Sequence, residues 1–202
     1  LNGNPFKHKH VLKANYFFGF QATELRYSAI FGNIVPKWNF EIDGYYTSDR
    51  YAKNFFGYGN ESINNENNFG RDYYRARLQQ FRASAGLAYY TLRVKGLFES
   101  FRVNENSQRL FNQSNLNPEV FENQNYAGAE LSGYYDNDDA RDFPSKAIFI
   151  GLRLGYKANL NLSNNRFGYA ALKVGFDRRL ISSGDLVFAT SAEYKTITTS
   201  EN

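Results

Sequence analysis

The chain of 202 residues contains no cysteine. Disulfides and thiolate metal sites are therefore excluded, and a fold in an oxidising compartment would stand without covalent staples. The sequence also lacks any run of about eighteen apolar residues, which excludes a membrane-spanning helix. Histidine is limited to His8 and His10; neither falls near a nucleophile and a carboxylate in the strand pattern set out below, so no Ser-His-Asp set is assembled. Residues 1–5 read as a turn and residues 12–20 as a strand, not as the apolar core of a signal peptide. Both ends are accordingly expected to lie inside a longer polypeptide. The charge is +4 and the pI about 9.1, but the basic residues are scattered through the chain instead of gathered in one patch, which speaks against nucleic acid as a partner.

What is abundant is aromatic and alternating. Phe and Tyr number 19 and 16. Over residues 147–160, Ile148, Ile150, Leu152, Leu154, Tyr156, Ala158 and Leu160 alternate with Phe149, Gly151, Arg153, Gly155, Lys157 and Asn159. A side-chain period of two belongs to a β-strand with one oily and one wet face. About fourteen residues at roughly 3.3 Å each exceed an ordinary globular strand and suffice to cross a bilayer at the usual tilt. The mean hydropathy of -0.60 does not oppose this, because a membrane barrel carries apolar residues only at every second position.

Nine period-two segments are predicted, over residues 9–20, 24–32, 37–47, 73–87, 91–103, 126–135, 147–160, 167–177 and 185–195. In the third, Trp38, Phe40 and Ile42 oppose Asn39, Glu41 and Asp43. In the fourth the apolar phase changes, from Tyr74, Ala76 and Leu78 to Phe81, Ala83 and Ala85, and a β-bulge near Gln79 and Gln80 is expected there. Long polar connections over 48–72 and 104–125 fall at one end of an antiparallel sheet, and tight ones at 33–36, 88–90 and 182–184 at the other. That asymmetry is the one found in outer-membrane barrels.

A soluble sandwich also alternates, but these strands are long, their apolar face is rich in Tyr and Gly, and nearly every wet face carries charge. The expected fold is therefore all-β, an antiparallel transmembrane β-barrel whose lipid-facing row includes Trp38, Phe40, Ile42, Ile148, Ile150, Leu152 and Leu154. Its lumen-facing charges would be Glu24, Arg26, Glu41, Asp43, Arg75, Arg77, Arg93, Lys95, Glu99, Glu130, Arg153 and Lys157. Mixed signs argue against a simple ion filter. Nine is odd and bacterial single-chain barrels close with an even number, so residues 1–202 are read as one segment of a larger barrel domain, truncated at both ends.

Two motifs add a resemblance. The segment Tyr135-Asp136-Asn137-Asp138-Asp139-Ala140-Arg141-Asp142-Phe143-Pro144-Ser145-Lys146 is an acidic turn leading through Phe-Pro-x-Lys into a long alternating strand. The segment Asn54-Phe55-Phe56-Gly57-Tyr58-Gly59-Asn60-Glu61-Ser62 precedes Tyr73-Tyr74-Arg75-Ala76-Arg77. Together they resemble the BamA/TamA type of outer-membrane barrel, the bacterial surface antigen family. Asp136, Asp139, Arg141, Phe143, Pro144 and Lys146 carry the turn motif, and Asn54, Phe55, Phe56, Gly57, Gly59 and Asn60 the loop motif. Arg141 falls late, and Ala147 stands where the family has Gly. The family's in-folding loop motif, of Arg-Gly-Phe type, would follow the ninth strand and is not within residues 1–202.

The resemblance implies roughly the third to eleventh strands of a sixteen-stranded barrel in the outer membrane of a Gram-negative bacterium. It further implies a non-enzymatic role, the insertion or translocation of polypeptides, with outer-membrane lipid, client outer-membrane proteins and accessory lipoproteins as partners and no cofactor. Two other functions fit the strands: a passive pore or transporter, and a barrel anchoring a surface or periplasmic hydrolase. The acidic run Asp136, Asp138, Asp139 and Asp142 lacks the Gly and terminal Glu of a calcium loop. His8 and His10 share a strand face without a third ligand. No metal is expected at either.

Overall fold

The structure, a computed structural model, describes residues 7–54, 71–105, 109–110, 118–137, 146–161, 165–181 and 186–199. They form one antiparallel sheet: β1 (Lys7–Phe17), β2 (Ala22–Val35), β3 (Trp38–Thr47), β4 (Ala52–Asn54), β5 (Arg75–Tyr89), β6 (Leu92–Val103), β7 (Gln124–Asp136), β8 (Lys146–Asn159), β9 (Arg166–Arg179) and β10 (Val187–Thr199). The long strands follow one another in chain order from β1 to β10, and the short β4 pairs with β5. The all-β antiparallel class read from the alternation is what the chain adopts.

Among the described residues no second layer covers the sheet. Its substantial packing is between neighbouring strands, with a 3-10 turn at Pro118–Phe121 touching β6 and another, Arg71–Tyr74, leading into β5. β1 pairs only with β2, and β10 only with β9, so two edges remain open among the described residues.

Turn chemistry sets the hairpins. Pro36-Lys37 and Tyr90-Thr91 are two-residue connections, with Lys37 at φ 71 and Tyr90 at φ 50. Such tight hairpins demand the left-handed region, and a non-glycine residue there costs on the order of 1 kcal/mol.

The second strand runs over Ala22–Val35 and not only 24–32, so the tight turn expected at 33–36 contracts to Pro36-Lys37, and three further differences bear on the sheet. The first strand ends at Phe17, because Phe20 N–H donates to the Phe17 carbonyl and Gln21 N–H to that of Phe18, closing a turn with Gln21 at φ 53. Phe18 and Phe20 thus leave the strand, and Phe18 is 85% exposed. The last strand runs on to Thr199, its end rich in β-branched Thr196, Ile197, Thr198 and Thr199, which favour extended backbone.

The third difference concerns the expected bulge in the fourth long strand. β5 holds an unbroken register with β6 from Leu78↔Val103 to Tyr89↔Leu92. The slip lies in its other neighbour, between Thr47↔Gln80 and Ala52↔Arg77. β4 is therefore the continuation of β3 along β5 after a two-residue insertion at Ser48–Tyr51, held by Leu78 N–H donating to the Tyr51 carbonyl.

Candidate functional site

The two faces of the sheet are chemically opposite. One carries Leu12, Leu25, Tyr27, Phe81, Leu87, Val94, Phe98, Leu131, Leu172 and Val174, all more than a third exposed. The sequence-predicted row lies on it: Ile148, Ile150, Leu152 and Leu154 are 38–47% exposed, and Trp38, Phe40 and Ile42 are half-buried against their neighbours. Register confirms the shared face, since Ile42 sits opposite Ala29 and Ala85, and Leu152 opposite Gly133 and Leu172. Among the described residues, charge on this face is confined to strand ends and is entirely basic: Arg75, Arg77, Arg102 and Arg166 toward the long connections, Lys146 and Arg178 toward the short ones.

Arg75 and Arg77, read from the sequence as lumen-facing charges, therefore stand on the apolar face beyond Phe81. The unbroken register of β5 keeps odd-numbered residues on one side throughout. Arg75 lies over the Phe20 ring at 4.6 Å. Leu78, Phe101, Val103 and Tyr126 fill the opposite side at that end, where Phe101 stacks on Tyr126 at 5.9 Å.

The polar face holds the remaining predicted charges, and three of its carboxylates are buried there: Glu24 is 4% exposed, Glu41 8% and Glu99 8%, whereas the Asp43 side chain is 47% exposed. Glu99 accepts from Arg82 at 3.0 Å, Lys157 at 2.5 Å and Gln80. Glu41 pairs with Lys95 at 2.9 Å and Arg93 at 3.4 Å, and Lys95 also reaches Asp43 at 2.7 Å. Glu130 accepts from the Tyr169 hydroxyl at 2.8 Å and lies 3.8 Å from Arg153.

Five of these links skip a strand, and three of the groups that reach across, Lys95, Lys157 and Tyr169, lie directly opposite a glycine of the strand they cross. Lys95 of β6 passes over Gly86 of β5 to Glu41 of β3. Lys157 of β8 passes over Gly128 of β7 to Glu99 of β6. Tyr169 of β9 passes over Gly155 of β8 to Glu130 of β7. A Cβ at Gly86 would meet the Val94 carbonyl oxygen at 2.1 Å, one at Gly128 the Tyr156 carbonyl oxygen at 2.1 Å, and one at Gly155 the Tyr169 ring at 2.1 Å. These glycines are sites of close approach, where the missing side chain is the space the crossing group occupies. Sequence reading found the charges but not the glycines' role, since the pairing register is needed to see what lies across each.

His8 and His10 stand edge to face at 5.4 Å on the apolar side, and the Tyr27 hydroxyl lies 2.8 Å from His10 Nδ1. Among the described residues no three metal-ligating side chains converge. Of the two motifs, Asp136, Lys146 and Asn54 lie in described strands. Asp138, Asp139, Arg141, Asp142, Phe143 and Pro144, and Phe55, Phe56, Gly57, Gly59 and Asn60, lie outside the described residues. No family model, curated protein or solved structure matches the chain.

Proposed function

We propose that this sheet is part of a transmembrane β-barrel in a bacterial outer membrane, with the apolar face toward lipid and the charged face toward a watery interior. One observation carries the reading: large apolar side chains are exposed along an unbroken face while three carboxylates are buried on the other. In water, a contiguous apolar surface of this extent is unfavourable by roughly 25 cal/mol per Å², and soluble monomers rarely expose a patch beyond several hundred Å². In hydrocarbon it is the favourable arrangement, and the backbone groups are satisfied by the ladders. The open edges of β1 and β10 are costly in lipid, which supports further strands completing the barrel, sixteen in all if the resemblance holds.

The turn and loop motifs support a BamA/TamA-like role, a non-enzymatic barrel that inserts or translocates polypeptides. Its mechanism would be a weakly paired seam that offers backbone partners to an incoming strand, β-augmentation carried out in a membrane. The test is reconstitution of the full-length protein in liposomes with an unfolded outer-membrane client. Faster client insertion than in empty liposomes is expected. Steady, large ionic openings with no effect on the client would replace this role by a passive pore. Recovery of the full-length protein in the soluble fraction would remove the membrane reading itself.

A further inference from the structure

Carboxylates and cations are not level on the polar face. In every described ion pair but Lys95 with Asp43, the cation is the more exposed partner: the Arg26 side chain is 58% exposed against 5% for Glu24, and Arg82 51% against 11% for Glu99. The acids line the wall, and the guanidinium groups stand above them.

This layering is sharpest on one rung of the sheet. Lys13 sits opposite Arg26, Arg26 opposite Tyr45, and Tyr45 opposite Arg82. Both guanidinium groups lie over the single Tyr45 ring, Arg26 at 5.1 Å and Arg82 at 5.9 Å. Lys13 makes no ion pair among the described residues, and like charges directly opposite each other oppose pairing. The rung floors a half-open groove of about 640 Å³, to which Lys53 adds a fourth cation and Ser28 a hydroxyl. The carboxylate lining that groove is Asp43, already held by Lys95 at 2.7 Å and by the Ser84 hydroxyl at 3.2 Å.

We infer that the groove over Lys13, Arg26, Tyr45 and Arg82 is a binding site for a multivalent oxyanion, such as a phosphorylated or polycarboxylate solute. A guanidinium held by a carboxylate on one edge and an aromatic ring on its face keeps free N–H donors in a fixed plane, the geometry that recognises phosphate or carboxylate oxygens. A volume of this size suits a small ligand. An anion seated there would also relieve the opposition of Lys13 and Arg26.

The inference rests on the polar face being a water-filled interior, so the test separates the two. Detergent-solubilised full-length protein is titrated with sodium pyrophosphate by calorimetry, against sodium chloride of equal ionic strength. Saturable binding is expected, weakened at least tenfold in Lys13→Gln and in Arg82→Gln and unchanged in Lys195→Gln on the far strand. Heats no different from chloride, or equal binding by all variants, would overturn the site. Outer-membrane fractionation of the same protein decides the membrane reading independently, since the titration is read whichever fraction holds the protein. The Lys13 side chain is exposed, and an unchanged melting temperature verifies that Lys13→Gln folds.

Discussion

Glu99 and Glu24 are both buried carboxylates beside an arginine on the same face, yet their surroundings differ in one respect. Beside Glu99 a glycine, Gly128, lets Lys157 lie flat across β7, and that lysine is only 18% exposed. Beside Glu24 the neighbouring strand presents Tyr45 instead, and Arg26 is lifted onto its ring and left 58% exposed. Glycine on a middle strand thus locks a cation against the wall, and a ring props it into solvent. The crossings at Gly86 and Gly128 hold their lysines against the wall, while the Tyr45 ring leaves Arg26 and Arg82 standing out from it.

The sharpest way to break the locked region is to fill a crossing. Gly86→Ala and Gly128→Ala each drive a methyl into a backbone carbonyl, and a loss of about 3 kcal/mol is expected. A urea titration of the full-length protein in micelles measures it, and an unchanged midpoint would mean that the crossings are incidental. Glu99→Gln comes next, because it leaves Lys157 and Arg82 facing a neutral group. About 2 kcal/mol is expected, against about 1 kcal/mol or less for Glu24→Gln, whose cation is solvated. Equal losses in that pair of titrations would erase the contrast between the two regions.

Tyr169→Phe removes one hydroxyl donor to Glu130 and should cost about 1 kcal/mol. Gly155→Ala should cost about the same, since the atoms it meets are the movable end of the Tyr169 ring rather than backbone. A loss at Gly155→Ala as large as at Gly86→Ala would show that Tyr169 cannot swing aside. The smallest effect is expected at Arg26→Gln, with no measurable change in the same titration, because Arg26 stands in solvent and Glu24 keeps the Asn15 and Tyr45 donors. Destabilisation there would assign the propped arginines a structural role.

The strands and their faces were legible in the alternation, since a period of two says which residues share a side whatever they pair with. Trp38, Ile42, Leu152, Glu41 and Lys95 fall where that period puts them. Arg75 and Arg77 do not, and the cause is instructive: the pattern showed a phase change in residues 73–87, but one strand's sequence cannot say whether the strand itself slips or its contents change past the end of the apolar band. The slip lies at Ser48–Tyr51, in the partner, where no alternation signals it. The crossings were hidden for the same reason. Gly86, Lys95 and Glu41 come together through two registers, and register is a relation between segments that no single segment contains.

The exclusively basic ends of the apolar face have one further consequence for the proposed barrel. Arg75, Arg77, Arg102 and Arg166 at one rim, and Lys146 beside Arg178 at the other, bracket the oily stripe like marks on a hull. Sliding the sheet along its strand axis by one residue pair in either direction would drag a permanently charged group into hydrocarbon. In such a barrel the depth of immersion would be written into six side chains, and the strands could not change tilt without lifting one rim or sinking the other.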